Sequence, residues 1–322
     1  MNNSLILLGC VNTRASLIGI DLNNRKAFWY CPANILRVCS ICYAFNALYV
    51  SSDNMLTKIS AKGLEDYKIP GKYDNYAHSV KLISDSQLAI ADTGNSQIHF
   101  FDGEQFTLTF SPLENWDSIP IDAIHVNDVL SWDSGLLVSA FSYQPFTVFK
   151  QTKFDWQHAG LGCLYHLQRF EHRTISRIVA AGLQCPHTLT QFADHVYCCA
   201  SAQGDWIQFA LSPQKLLYEA QRTHVTDTHF LRGALCYQDG WILGGSSRRH
   251  EDGSGGMQLY YLADDGKIET IWQGGSGEIY DILYWDQEIM GDVCAVLEHA
   301  AIRFSDDKDF PPRSILPKEY RT

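Results

Sequence analysis

The sequence predicts one all-β domain, a six-bladed β-propeller. Three observations carry that prediction. A two-strand unit recurs six times at blade-like spacing, the composition suits sheets, and strands left over at the N-terminus are placed to close a ring. The 322 residues are 46% hydrophobic and 19% charged, enough apolar surface for a substantial core. Tyr, Phe and Trp number 16, 16 and 8 against 4 Met, a balance that favours pleated surfaces over helical bundles. Closed all-β folds of this length run as single domains, and no linker or low-complexity stretch divides the chain.

The recurring unit is a polar residue, a short strand, an Asp-containing turn, a second apolar strand and a small polar turn. One copy reads His78-Ser79-Val80-Lys81-Leu82-Ile83-Ser84-Asp85 and then Leu88-Ala89-Ile90-Ala91-Asp92-Thr93-Gly94-Asn95. Others start at Asn127, His187 and Arg232, and weaker ones near Ser40 and Tyr280. Starts at about 40, 78, 127, 187, 232 and 280 differ by 38, 49, 60, 45 and 48 residues, the period of one blade with loop insertions. A lone blade leaves both faces of its sheet bare, so the copies must stack around an axis. Six starts give six blades, with a seventh allowed.

The N-terminal strands 4–9, 16–22 and 27–30 precede the first copy and are expected to pair with the C-terminal one, removing the free edges. The stretch Leu5-Ile6-Leu7-Leu8-Gly9-Cys10 lacks a preceding basic residue and reads as a buried strand, not a leader. No helix is expected, and residues 310–322 read as a tail. No apolar run approaches the roughly 20 residues of a membrane span, so no membrane partner is expected. The formal net charge of −11 repels phosphate backbones and argues against nucleic acid. Most of the ten cysteines sit in strand-like runs, as reduced core thiols of a cytoplasmic protein would. Cys39 and Cys42 form a C-x-x-C pair with no second pair at zinc spacing.

Ala91-Asp92-Thr93-Gly94-Asn95-Ser96-Gln97-Ile98 is similar to the NHL-repeat signature. His125-Val126-Asn127-Asp128, followed by Ser134-Gly135-Leu136-Leu137-Val138-Ser139, resembles regucalcin/gluconolactonase-type propellers. Cys185-Pro186-His187, Phe230-Leu231-Arg232-Gly233 and Gly277-Glu278-Ile279-Tyr280-Asp281 look closer to an uncharacterised bacterial propeller family, some members of which carry tetratricopeptide repeats. The likeness spans roughly residues 75 to 285. The gluconolactonase relatives hold a divalent metal with a Glu, an Asn and an Asp; the resemblance implies Asn127 and Asp281 as two such ligands, and no N-terminal Glu matches the third. No cofactor is certain on this reading, and a divalent metal is compatible with it.

In a propeller the inner strand of each blade starts at one face, and the turn after the second strand returns there. Aligned copies therefore gather His78, Asn127, His187 and Arg232 in one column around the channel mouth, with Tyr280 as the sixth-copy equivalent. The second-strand turns add Asp92, Asp205 and Arg248. Four long polar groups in equivalent channel positions need water, a metal or a ligand, because burying them unpaired is costly. His78 and His187 suit general acid and base near neutral pH, with Tyr280 as proton donor or relay. Arg232 offers a planar fork for carboxylate, sulfate or phosphate, with Asn127, Arg248, Asp92 and Asp205 lining the site. Two insertions overhang the mouth: residues 141–160, with Tyr143, Phe146, Trp156 and His158, and residues 246–256, with Arg248 and a Gly-rich end. His224 and His229, five apart around Asp227, read as loop residues.

No G-x-S-x-G elbow and no phosphate-cradling loop is present. The expected function is an enzyme of lyase or hydrolase type acting by His/Tyr acid–base chemistry on a small anionic or sugar-like molecule. The alternative is a non-catalytic propeller that binds a protein or glycan through the same face. The oligomeric state is left open.

Overall fold

The computed structural model describes residues 5–13, 15–32, 36–73, 77–113, 119–145, 160–170, 173–247, 256–300 and 302–303. Among them six antiparallel sheets follow one another around a ring, and six blades is the count. Strands β1 (Leu5–Val11), β2 (Ala15–Asp21) and β3 (Lys26–Pro32) belong to blade 1. Blade 2 is β4 (Ser40–Ala44), β5 (Ala47–Ser52), β6 (Met55–Ser60) and β7 (Gly63–Lys68). Blade 3 is β8 (Ala77–Ser84), β9 (Gln87–Asp92), β10 (Gln97–Phe101) and β11 (Phe106–Phe110). Blade 4 is β12 (Val126–Trp132), β13 (Gly135–Ala140), β14 (Gly162–Phe170) and β15 (Arg173–Leu183). Blade 5 is β16 (Pro186–Phe192), β17 (His195–Ala200), β18 (Asp205–Leu211) and β19 (Leu217–His224). Blade 6 is β20 (His229–Tyr237), β21 (Gly240–Ser247), β22 (Gln258–Ala263) and β23 (Ile268–Gln273).

The ring closes as the leftover N-terminal strands require. Strand β24 (Glu278–Tyr284) pairs with β1 and becomes the innermost strand of blade 1, so the two ends of the chain share one sheet. On the outer edge of that sheet β3 pairs with the short β25 (Ile302–Arg303).

Each blade buries both faces against its neighbours, and the core is divided accordingly. One cluster joins blades 3 and 4 through Ile98, Val129, Val138 and Tyr165. Another joins blades 4 and 5 through Leu137, Leu164, Leu189 and Ile207. Blades 6 and 1 meet through Ile6, Leu8, Ile242 and Ile279. Helix α1 (Gly291–Ala300) corrects the expectation of no helix. It lies beyond the last repeat copy, where strand periodicity no longer governs, and Val293, Cys294 and Leu297 pack with Trp29 and Trp285 in the cluster of blades 1 and 2. Among the described residues no helix is long and apolar enough to cross a membrane.

A recurring hydroxyl latch links neighbouring blades at four of the six boundaries. From the end of the second strand, Ser51 Oγ donates to Ala77 O (2.8 Å), Thr93 Oγ1 to Val126 O (2.5 Å), Ser201 Oγ to Leu231 O (2.5 Å) and Ser246 Oγ to Ile279 O (3.1 Å). These are the small polar residues that close each sequence repeat. In each of β8, β12, β16, β20 and β24 one extra residue interrupts the pairing with its neighbour: His78, Asn127, Thr188, Gly233 and Tyr280. Such a bulge re-aims side chains at a sheet edge or rim. It also corrects the sequence column: His187 and Arg232 stand one residue before the bulged position that His78, Asn127 and Tyr280 occupy.

Candidate functional site

The five inner-strand residues nominated from the repeat come together at the start of their strands. His78 Nδ1 lies 2.8 Å from Asn127 Oδ1, across the boundary between blades 3 and 4. Asn127 Nδ2 donates to His125 O (3.1 Å), which fixes the amide so that Oδ1 accepts and His78 carries its proton on Nδ1. The His78 ring sits edge-on to His125 (5.2 Å between centroids) and to Tyr280 (5.5 Å). Tyr280 lies under the Arg232 guanidinium, with Cζ 4.4 Å from the ring centre, a cation–π contact. On the other side His125 stacks on Phe141 at 4.3 Å, and Phe141 meets His187 at 4.9 Å. One chain of contacts thus runs from His187 through Phe141, His125, His78 and Tyr280 to Arg232.

Arg232 is buried and forms an ion pair with the equally buried Glu278. The second Glu278 oxygen accepts from Asn12 Nδ2 at 2.5 Å. His187 is 5% exposed, and its Nδ1 faces Ser201 Oγ (2.8 Å) and Cys185 O (3.1 Å). The Ser201 hydrogen is committed to Leu231 O, so Oγ and the carbonyl are both acceptors and the proton belongs on His187 Nδ1. Among the described residues Nε2 is then an unprotonated, fully buried acceptor without a partner, and Arg232 Nε is a buried donor without one. Burial, followed by the Arg232 charge and then His78, pushes His187 well below the ordinary imidazole value. It is a neutral base at physiological pH.

Below this ring lies Lys81 on β8, missed by the sequence column because it sits three residues past His78. Its Nζ is 4.0 Å from Asp128 Oδ2 and 3.9 Å from Asp281 Oδ1, while 27% of the side chain stays exposed to the lumen. Burial opposes its charge, but Asp128 and Asp281 outweigh that and hold its pKa above the ordinary value. Both carboxylates also tie blades together. Asp281 Oδ2 accepts from Ser40 Oγ (2.5 Å) and Ile41 N (3.2 Å). Asp128 accepts from Ser79 Oγ and from Leu189 N (2.6 Å).

The two residues that the resemblance implies as metal ligands, Asn127 and Asp281, each have partners within the protein. Asp281 serves blade closure beside an ammonium, which already supplies the positive charge a metal would bring, and Asn127 is held by His78 and His125. Among the described residues no three His, Cys, Asp or Glu side chains converge as a ligand set.

Asp92 and Asp205 are engaged inside their own blades. Asp92 accepts from His99 Nε2 (3.0 Å) and Asn95 Nδ2 (2.7 Å). Asp205 binds Arg222 (2.8 Å) and His224 (2.7 Å). Neither joins the contact chain of the mouth. His224 ends β19 and His229 begins β20, so both are strand residues and not loop residues. Arg248, Phe146, Trp156 and His158 lie outside the described residues, as does the tail 310–322; Tyr143 is described and 38% exposed. Burial lifts the Cys39 thiol to about 12 and Cys42 to about 11, which makes the C-x-x-C pair poor nucleophiles.

Glu278, His125, Phe141 and Ser201 are the partners the sequence column did not contain. A signal for two of them existed: His125 and Glu278 are polar residues two positions before bulged ones, at the start of otherwise apolar strands. A separate cleft of about 260 Å³, lined by Asp133, His166, Gln168, Ile175, Arg177 and Lys215, opens at the opposite ends of the strands, where Lys215 is already paired with Asp133.

No family model matches the chain, and no curated protein does. Solved structures share its fold. A Bacteroides caccae protein of unknown function superposes with a TM-score of 0.61 at 12% identity, covering 86% of this chain and 97% of that one. A candidate 6-phosphogluconolactonase from Bacteroides fragilis gives 0.52 at 12% identity, over 83% and 80%. Virginiamycin B lyase from Staphylococcus aureus gives 0.51 at 10% identity, over 84% of each. At such identities the likeness is one of fold, and function has to be argued from the site.

Proposed function

We propose that the channel mouth is a small-molecule site at which this protein acts as a lyase or hydrolase on an anionic or sugar-like substrate by acid–base chemistry. The observation that carries it is the convergence of His78, Asn127, His187, Tyr280 and Arg232, from five different blades, into one chain of contacts at the start of their strands. Small-molecule sites commonly combine a few convergent polar groups with aromatic walls. In the proposed step His187 Nε2 accepts the proton of a bound hydroxyl or water, and the developing negative oxygen is met by Arg232 Nε–H. The resulting imidazolium is held through Nδ1–H by Ser201 Oγ and Cys185 O. Tyr280 and His78, in contact with each other beside this pair, are the groups that return a proton.

The fold is shared with a protein named as a lyase and with a candidate lactonase, which is compatible with this use. All ten cysteines are free and nine are buried, which supports a reducing, cytoplasmic setting. The test is a turnover screen against sugars, sugar acids and their lactones, followed by His187→Gln. Loss of turnover with an unchanged near-ultraviolet spectrum is expected. Turnover that survives the substitution overturns the assignment.

A further inference from the structure

We propose that the cleft between blades 4 and 5, at the end of the ring opposite the mouth, binds a small organic anion whose carboxylate or phosphate is held by Arg177 and Lys215. This site is separate from the mouth and stands whatever the mouth does.

Strand register builds the cleft. In blade 4 the cross-strand pairs His166 with Arg177 and Gln168 with Ile175 put four side chains on one face of the β14–β15 hairpin. The turn between β18 and β19 of blade 5 brings Lys215 to that face, and the turn between β12 and β13 adds Asp133. Two contacts hold the walls together. Lys215 Nζ lies 3.0 Å from both Asp133 carboxylate oxygens, and Arg177 Nη2 donates to Lys215 O at 2.9 Å. The open space among them is about 260 Å³, smaller than the pockets that take drug-sized ligands and suited to one small ion.

Charge selects the ligand. Lys215 matches the Asp133 carboxylate, whereas Arg177 has no acidic partner among the described residues, and its Nε and Nη1 are uncommitted donors there. Burial outweighs the pull of Asp133 and, with the Arg177 charge nearby, holds the His166 imidazole below its ordinary value, so His166 adds no charge. Two cations against one carboxylate leave one positive charge, in a chain whose formal net charge is −11. Both cations are open to solvent: the Lys215 side chain is 59% exposed, and Arg177 is an exposed residue. A guanidinium meets a carboxylate or phosphate through paired N–H bonds, and the ammonium adds a second point of attraction. Ile175, half-exposed on the same face, receives the apolar part of the ligand.

The experiment titrates the protein with benzoate, phenyl phosphate and benzyl alcohol at low ionic strength and reads dissociation constants by ligand-observed NMR. At least one of the two anions is expected to bind about tenfold or more tightly than benzyl alcohol, and to weaken in high salt because the cations are exposed. The tighter anion identifies the head group. Arg177→Gln should weaken it about tenfold or more. Lys215→Gln, which leaves Asp133 facing the cleft without its cation, should do the same, with the near-ultraviolet spectrum unchanged in both variants. His187→Gln, at the other end of the ring, should leave the binding as it is. Benzyl alcohol bound as tightly as both anions, no binding of either anion, or anion binding that survives either cleft substitution overturns the proposal. Anion binding lost in His187→Gln overturns it as well, by moving the site to the mouth.

Discussion

Ser40 opens the innermost strand of blade 2, and its hydroxyl donates to the Asp281 carboxylate of blade 1 at 2.5 Å, 241 residues away in sequence. The same Oγ accepts from Val80 N of blade 3 at 3.1 Å, so one hydroxyl links three blades. Ser40→Ala removes a charge-assisted bond and leaves the Val80 amide unpaired. It should cost about 2 kcal/mol in denaturant unfolding, read as a lower midpoint with an unchanged slope.

Lys81→Met tests the lumen charges. Removing the ammonium leaves Asp128 and Asp281 buried without their cation. The separations near 4 Å and the partial exposure of Lys81 put the cost at the low end for a broken buried pair, about 3 kcal/mol. Burial already lifts Asp128 above the usual carboxylate range, so the variant should recover stability as the pH falls toward 5. A variant as stable as wild type at pH 8 would show that the blade-to-blade bonds alone satisfy the two acids.

The pH dependence of His187 has a definite sign. Its folded pKa lies below the unfolded value of 6.5, so the unfolded chain binds the proton first and stability is lost as the pH falls below about 6.5. Thermal unfolding from pH 8 to pH 5 should show that loss, and His187→Gln should flatten this part of the curve. An identical slope in the variant would place His187 in a wetter setting than the one described.

Gly233 is the bulged residue next to Arg232, with φ at +71°. A Cβ there would stand 2.9 Å from Ile282 Cγ1 and 3.2 Å from the Asp281 backbone. Gly233→Ala combines a left-handed backbone with a crowded blade boundary. A cost of about 3 kcal/mol is expected, together with weakened ligand binding as Arg232 shifts.

The ring was legible because propeller blades repeat. A polar residue opening an apolar strand at Ser40, His78, Asn127, His187, Arg232 and Tyr280 was enough to count blades and to bring the mouth residues together. The finer placement was not legible, since a bulge adds a residue without changing the look of the strand: Arg232-Gly233 and Tyr280 read as one column although the ladder offsets them. Partners across blades were invisible for a related reason. Nothing near Arg232 in sequence announces Glu278, 46 residues on, and nothing near Asp281 announces Ser40. Asp281 and Asp92 likewise gave no sign of their partners, Ser40 for the one and His99 with Asn95 for the other. Helix α1 escaped because it follows the last repeat, where the pattern that organised the rest of the reading had ended.

The pairing of β1 with β24 also sets the order in which the protein can be made. The ribosome releases β1 before any strand of blades 2 to 6, yet the strand that covers its inner edge comes out only after blade 6 is complete. While blades 2 to 5 are made, Ile6, Leu8 and Cys10, buried in the finished ring, have no blade 6 to rest against. The nascent chain therefore carries an open seam along β1 until β24 emerges, and that strand is the fastener of the ring.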